Sequence, residues 1–144
     1  VITARDIMHS GAQCVNADQT LMDASKMMRD MGVGALPICG PDGKLKGIIT
    51  DRDIVTRCIA MGKDPSMMKA MELSDHLHCV RADDDMDTVL KKMEQHQIRR
   101  IPVIDGERLV GMISEKDLAM GHREGMRVTD RQIIEFMDSM YVDR

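Results

Sequence analysis

Apolar positions along the chain follow two rhythms in turn, and the whole succession occurs twice. Leu21, Ala24, Met28 and Met31 recur at spacings of three and four, with Met27 beside them. That spacing predicts an amphipathic helix with one buried face. Thr20 caps it, Asp23 completes an Asp version of the capping box, and Gly32 stops it. A short strand near Gln13–Val15 precedes this helix. The run Ala35–Cys39 predicts a second strand, Gly40-Pro41-Asp42-Gly43 a hairpin-type turn, and Leu45–Thr50 a third strand. A helix follows from Arg52 to about Met61, with Asp51 as its expected cap and Ile54, Val55, Cys58, Ile59 and Met61 as its apolar positions. The β-α-β crossover predicts strands one and two parallel, with strand three returning antiparallel.

The second copy runs from Cys79-Val80-Arg81-Ala82-Asp83, through a helix striped by Met86, Val89, Leu90 and Met93, to strands at Ile101–Ile104 and Leu109–Ser114. Asp105-Gly106 replaces the longer turn, and a helix from Glu115 fades by Gly121. Each copy has a lead-in. Thr3 caps a short helix over Ala4-Arg5-Asp6-Ile7-Met8, and Met68–Leu73 matches it. A repeat of this kind predicts a pseudo-two-fold α/β molecule. Its expected parts are residues 1–61 with the first lead-in, a connector at 62–68 broken by Asp64-Pro65, residues 69–122, and a tail at 123–144. In the tail, Thr129 and Gln132 form a capping box, and Ile133, Ile134, Met137 and Met140 form an apolar stripe. Such a stripe must be buried, and a partner subunit is the favoured cover.

Composition narrows the picture. The 144 residues are 43% apolar, with one Phe, one Tyr, no Trp and sixteen Met, so aliphatic side chains and Met fill the core. A net charge of −4 gives no case for a nucleic-acid surface. No run approaches the length of a membrane span, and no charged-then-apolar leader opens the sequence, so the reading is cytoplasmic. Cys14, Cys39, Cys58 and Cys79 form no CxxC pair. Cys14 and Cys39 fall on strands that could be neighbours, which leaves buried thiols and a disulfide both open. His9, His76, His78, His96 and His122 are scattered. The His76-x-His78 pair near Cys79, completed by His96 or another subunit, is the best zinc candidate, yet surface or polar-core histidines are favoured and a metal is not expected. No nucleophile or acid–base constellation stands out, so no enzyme is expected.

The two copies share an Asp before the first helix, a Pro in the second strand, and a Gly-x-x-(Ser/Thr)-x-x-Asp ending. These endings are Gly47, Thr50, Asp53 and Gly111, Ser114, Asp117. In these features residues 3–122 resemble the cystathionine-β-synthase (CBS) domain, present as a tandem pair (a Bateman module). The resemblance implies an α/β fold in which each repeat is a small three-stranded sheet with two helices. It also implies a regulatory protein that senses an adenine nucleotide such as AMP, ATP or S-adenosylmethionine. The hydroxyls of Thr50 and Ser114 would contact phosphate, and Asp53 and Asp117 the ribose. Gly34, Ala35, Leu36 and Pro37 would line the base in one cleft, and Arg99, Arg100, Ile101 and Pro102 in the other. Small Gly34 and Ala35 leave room where Arg99 and Arg100 bring bulk and charge, so the clefts should differ. The partners implied are a homodimer through the CBS helices, joined by the C-terminal helix, and a regulated protein. Two other readings stand beside this one: an empty structural or interaction module, and a redox- or metal-responsive stress protein. On the structural reading, Asp51 and Glu115 cap helices and Asp53 and Asp117 are favourable first-turn charges.

Overall fold

A computed structural model describes residues 1–74 and 77–142. The elements in order are α1 (Ala4–Ile7), β1 (His9–Ser10), β2 (Val15–Asn16), α2 (Leu21–Met31), β3 (Ala35–Cys39), β4 (Leu45–Thr50) and α3 (Asp51–Ile54). A π-helical turn over Val55–Ile59 and a 3-10 turn over Ala70–Leu73 follow. Then come β5 (Val80–Arg81), α4 (Met86–His96), β6 (Arg100–Asp105), β7 (Arg108–Ser114), α5 (Glu115–Arg123) and α6 (Asp130–Tyr141).

The chain forms two compact units. One comprises Val1–Ala12, His78–Gly106 and Val110–Arg144; the other comprises Gln13–Leu77 and Glu107–Leu109. We call them the second-repeat unit and the first-repeat unit. Each lead-in thus serves the repeat that is not its neighbour at the sequence level read above. Ala4 and Ile7 lie in the second-repeat core with Val80, Met86, Val89, Leu90, Met93, Ile101 and Ile113. Ala70 and Leu73 lie in the first-repeat core with Leu21, Ala24, Met28, Leu36, Ile38 and Ile49. Backbone bonds hold both lead-ins: Ala4 N–H donates to Asp84 O at 2.8 Å, and Ala70 N–H to Gln19 O at 2.9 Å.

In the first-repeat unit, β2 pairs parallel with β3, and β3 antiparallel with β4, as a β-α-β crossover followed by a tight turn requires. The second-repeat sheet has the order β1-β7-β6-β5. Its β5 is parallel to β6, and its extra edge strand β1 pairs antiparallel with β7. Helix α2 starts at Thr20 with a capping box through Asp23, and Gly32 ends it at a φ of 67°, a left-handed conformation that glycine takes without steric cost. Helix α4 starts instead on Asp85, whose side chain accepts from Thr88 N–H.

The tail meets its expectation only in half. Two of its four stripe residues are covered by its own unit, Met140 buried and Ile133 packed on the core beside the fully buried Phe136. Ile134 and Met137 stay exposed. Phe136, not counted in the stripe, is the largest fully buried side chain among the described residues.

Candidate functional site

The repeated ending Gly-x-x-(Ser/Thr)-x-x-Asp places the same three devices in both units. Its glycine stands where a lead-in side chain presses on the sheet. A Cβ on Gly47 would overlap the side chain of Ser74, whose hydroxyl accepts from Ile48 N–H at 3.3 Å. A Cβ on Gly111 would stand 2.8 Å from the carbonyl oxygen of His9 and collide with Met8. The glycine is therefore there for close approach.

The hydroxyl residue is the helix cap, which corrects the assignment of the caps to Asp51 and Glu115. Thr50 and Ser114 hold the N-cap positions, and Asp51 and Glu115 are the first helical residues. Thr50 Oγ1 accepts from Asp53 N–H at 3.1 Å and donates to Asp53 Oδ2 at 2.7 Å. Ser114 N–H and Oγ donate to Asp117 Oδ2 at 2.8 and 3.0 Å. Each is a capping box that satisfies amide donors the helix leaves orphaned.

The sequence-predicted lining residues stand next to these caps. Asp51 N–H donates to Gly34 O at 2.9 Å, and Glu115 N–H to Arg99 O at 3.1 Å. Ala35 is opposite Thr50 in the β3–β4 register. Ala35, Leu36 and Pro37 are buried, as are Ile101 and Pro102, whereas Arg99 is exposed and Arg100 half-buried. Within each unit the structure thus brings together the strand start and the capping box.

The two environments differ by more than Arg99 and Arg100. Asp117 Oδ2 also lies 2.7 Å from His9 Nδ1, which comes from edge strand β1. The Arg99 guanidinium sits 5.1 Å from the ring centroid of Tyr141, and the Tyr141 hydroxyl donates to Glu115. That hydrogen bond, more than the partial burial, raises the Tyr141 pKa above the ordinary phenol value. In the first-repeat unit, Asp53 Oδ1 is 3.8 Å from Arg57 Nη1, which also donates to Leu73 O at 2.7 Å. His9 and Tyr141 were not legible as neighbours of the motif. His9 reaches Asp117 from 108 positions away, in the first lead-in, and Tyr141 reaches Glu115 from the tail, 26 positions on.

Outside the motif, two groupings carry chemistry. Cys14 and Cys39 form a disulfide with a Cα–Cα separation of 5.7 Å, which resolves the choice between thiols and disulfide. Parallel pairing of Val15 with Ile38 and of Asn16 with Cys39 brings the two cysteines together. Cys58 is a buried free thiol and Cys79 a half-buried one. The rings of His78 and His96 stack, with centroids 3.6 Å apart and planes 17° from parallel. His76 lies outside the described residues. Among the described residues no group of three or more His, Cys, Asp or Glu is arranged to hold a metal ion. Among the described residues no helix is long and apolar enough to cross a membrane.

The CBS domain model matches residues 4–59 and 69–121. Hypoxic response protein 1 of Mycobacterium tuberculosis is 48% identical over 118 residues, spanning 81% of this chain and 82% of the relative. A CBS domain-containing protein of Bacillus subtilis is 35% identical over 118 residues, covering 82% and 84%. Among solved structures, Hypoxic Response Protein I with two coordinated zinc ions superposes with a TM-score of 0.78 at 48% identity, over 83% of this chain and 98% of that one. A CBS domain pair complexed with methylthioadenosine and S-adenosylmethionine superposes with a TM-score of 0.72 at 28% identity, over 81% and 92%. Two coordinated zinc ions in so similar a protein overturn the expectation that a metal is not to be looked for. The His78 and His96 named among the zinc candidates are indeed neighbours, with His96 supplied by α4. The chain belongs to the CBS domain family, as a tandem pair of regulatory rather than catalytic type.

Proposed function

We propose that the chain is a stress-response regulatory module whose state depends on zinc, with the Cys14–Cys39 disulfide as a redox-sensitive brace. The observation that carries this reading is the 48% identity to a protein solved with two coordinated zinc ions; the stacking of His78 on His96 brings two candidate imidazoles to one place. Imidazole nitrogens are ordinary zinc ligands, and the half-buried Cys79 thiol next to His78 is a matching soft donor. His78 and His96 would supply two ligands. His76 or a second chain would complete the set. Zinc so held would lock the segment before β5 to the end of α4, which is a structural rather than catalytic use of the metal.

The residues fit this role in other ways. Lys92 of α4 donates through Nζ to Cys79 O at 2.7 Å, which already fixes the backbone of that segment against the helix. The relative with two coordinated zinc ions supports the reading through its 48% identity. Thr50, Asp53, Ser114 and Asp117 act here as helix-capping pairs.

The test is metal stoichiometry. Full-length protein is stripped with a chelator, dialysed against zinc and assayed for bound metal. Near-stoichiometric zinc in the natural chain and its loss in His78→Ala/His96→Ala is the expected result. Undiminished zinc in that double variant, or none in the natural chain, would remove the proposal.

A further inference from the structure

Sixteen methionines give this chain a large share of one chemistry, and the fold sorts them. Met28, Met86, Met93, Met112 and Met140 are buried. Met61 and Met67 stand at the other extreme, 65% and 79% exposed. Among the described residues no large apolar side chain except Val1, at the start of the chain, is more open than these two. Neither packs on either core. Both belong to the first-repeat unit, between its π-helical and 3-10 turns.

The backbone under them is fixed without their side chains. Gly62 N–H donates to Ile59 O, Lys63 N–H to Cys58 O and Met67 N–H to Asp64 O, each at 3.0 Å. At the start of α2, Met22 N–H donates to Pro65 O at 3.1 Å and Leu21 N–H to Met68 O at 2.8 Å. Met68, next in sequence to Met67, packs on the first-repeat core. Packing therefore demands nothing of the Met61 and Met67 side chains. What they present to solvent is a thioether, the group through which Met reacts with a two-electron oxidant.

We propose that Met61 and Met67 form a reversible oxidant-acceptor site in the connector, with a hydroperoxide as the oxidant. The thioether sulfur attacks one peroxide oxygen, the O–O bond breaks, and the other oxygen leaves as water or an alcohol. Sulfur gives up two electrons, the peroxide takes them, and the sulfoxide forms. Its new S–O dipole costs nothing on a side chain already in water. The same change at Met86 or Met93 would place an unpartnered polar group in the second-repeat core. Lys63 and Lys69, both exposed, follow Met61 and Met67 by two residues and are donors suited to the new oxygen. A sulfoxide reductase reverses the step: the oxygen leaves as water while a thiol pair closes to a disulfide. The site goes beyond the zinc reading and does not depend on it.

Peptide mass spectrometry of the full chain treated with hydrogen peroxide tests the site and counts thiol oxidation separately. Chelator is present to exclude metal-catalysed oxidation. Met61 and Met67 should gain oxygen at least about tenfold faster than Met28, Met86 and Met93. They should also react ahead of Met126 and Met137, which are 49% and 45% exposed. The doubly oxidised chain, separated from thiol-oxidised forms, should keep the urea midpoint of the untreated chain. Sulfoxide reductases for both epimers, with dithiothreitol, should remove both oxygens. Met61→Leu/Met67→Leu, a volume-conserving change, should keep the midpoint and lose the two fast additions. Oxygen that arrives first on any other methionine overturns the proposal. So does a midpoint that falls once Met61 and Met67 are oxidised, or oxygen that the reductases cannot remove.

Discussion

Thr50 and Ser114 illustrate how one residue can be read correctly for its type and wrongly for its task. Both carry the hydroxyl of a repeated motif, while the sequence points to their neighbours Asp51 and Glu115 as caps. A cap is defined by backbone geometry, and Thr50 has the extended φ of −115° and ψ of 158° that a cap requires. Thr50→Ala or Ser114→Ala should each cost about 1 kcal/mol of stability, measured by urea unfolding; no loss in either would deny the capping role. Tyr141 offers a cleaner probe, because it is the one tyrosine in a chain without tryptophan. Its hydrogen bond to Glu115 favours the neutral phenol. A folded-state pKa raised above the unfolded value gives stability that is full below the ordinary phenol range and is lost as pH rises through the folded value. Ultraviolet titration should show Tyr141 ionising at higher pH in the natural chain than in Glu115→Gln. Coincident curves would mean the bond is not formed in solution.

At the scale of elements, periodicity and punctuation placed most helices and strands. The stripes of α2 and α4, the turn at Gly40–Gly43 and the stop at Gly32 are local signals, and local signals survive into the fold. Two elements were not legible. The edge strand β1 is two exposed residues, His9 and Ser10, with no alternation to announce it. The π-helical turn over Val55–Ile59 differs from the regular helix of α5, although both follow the same motif. The Cys14–Cys39 disulfide is also an element-scale feature, since strand pairing rather than sequence proximity creates it. It closes a loop with a sequence separation of 25 residues. Restricting such a loop in the unfolded chain is worth about 3 kcal/mol. Reduction, or Cys14→Ser/Cys39→Ser, should lower the denaturant midpoint accordingly. A midpoint unchanged by reductant would show the brace to be energetically silent.

At the scale of the whole molecule, the repeat unit of sequence is not the unit of folding. The first lead-in packs in the second-repeat core, and the segment around Ala70 and Leu73 packs in the first-repeat core. A fragment of residues 1–61 therefore lacks two fully or nearly fully buried residues of its core and carries Ala4 and Ile7 with nowhere to bury them. A fragment of residues 13–77 keeps its core together. Circular dichroism melts should show a cooperative transition in the second fragment and a weaker or absent one in the first. The opposite order would contradict the unit composition seen here. The tail belongs to this scale as well. Its stripe was legible, but how much of it the chain covers for itself was not, because that depends on a surface assembled from α4, α5 and the second-repeat sheet.

The sequence by itself determined the repeated α/β pattern, the parallel crossover, nearly every helix and strand, and membership in the CBS family. Each of these rests on spacings of a few residues, where hydrophobic period and capping chemistry act directly. Only the tertiary structure decided which lead-in serves which core, that Cys14 meets Cys39, that His78 stacks on His96, and that Phe136 anchors the tail while Ile134 and Met137 face outward. Those outcomes join residues from 18 to more than 60 positions apart. They follow from how packed elements are brought together, which no local window of sequence contains.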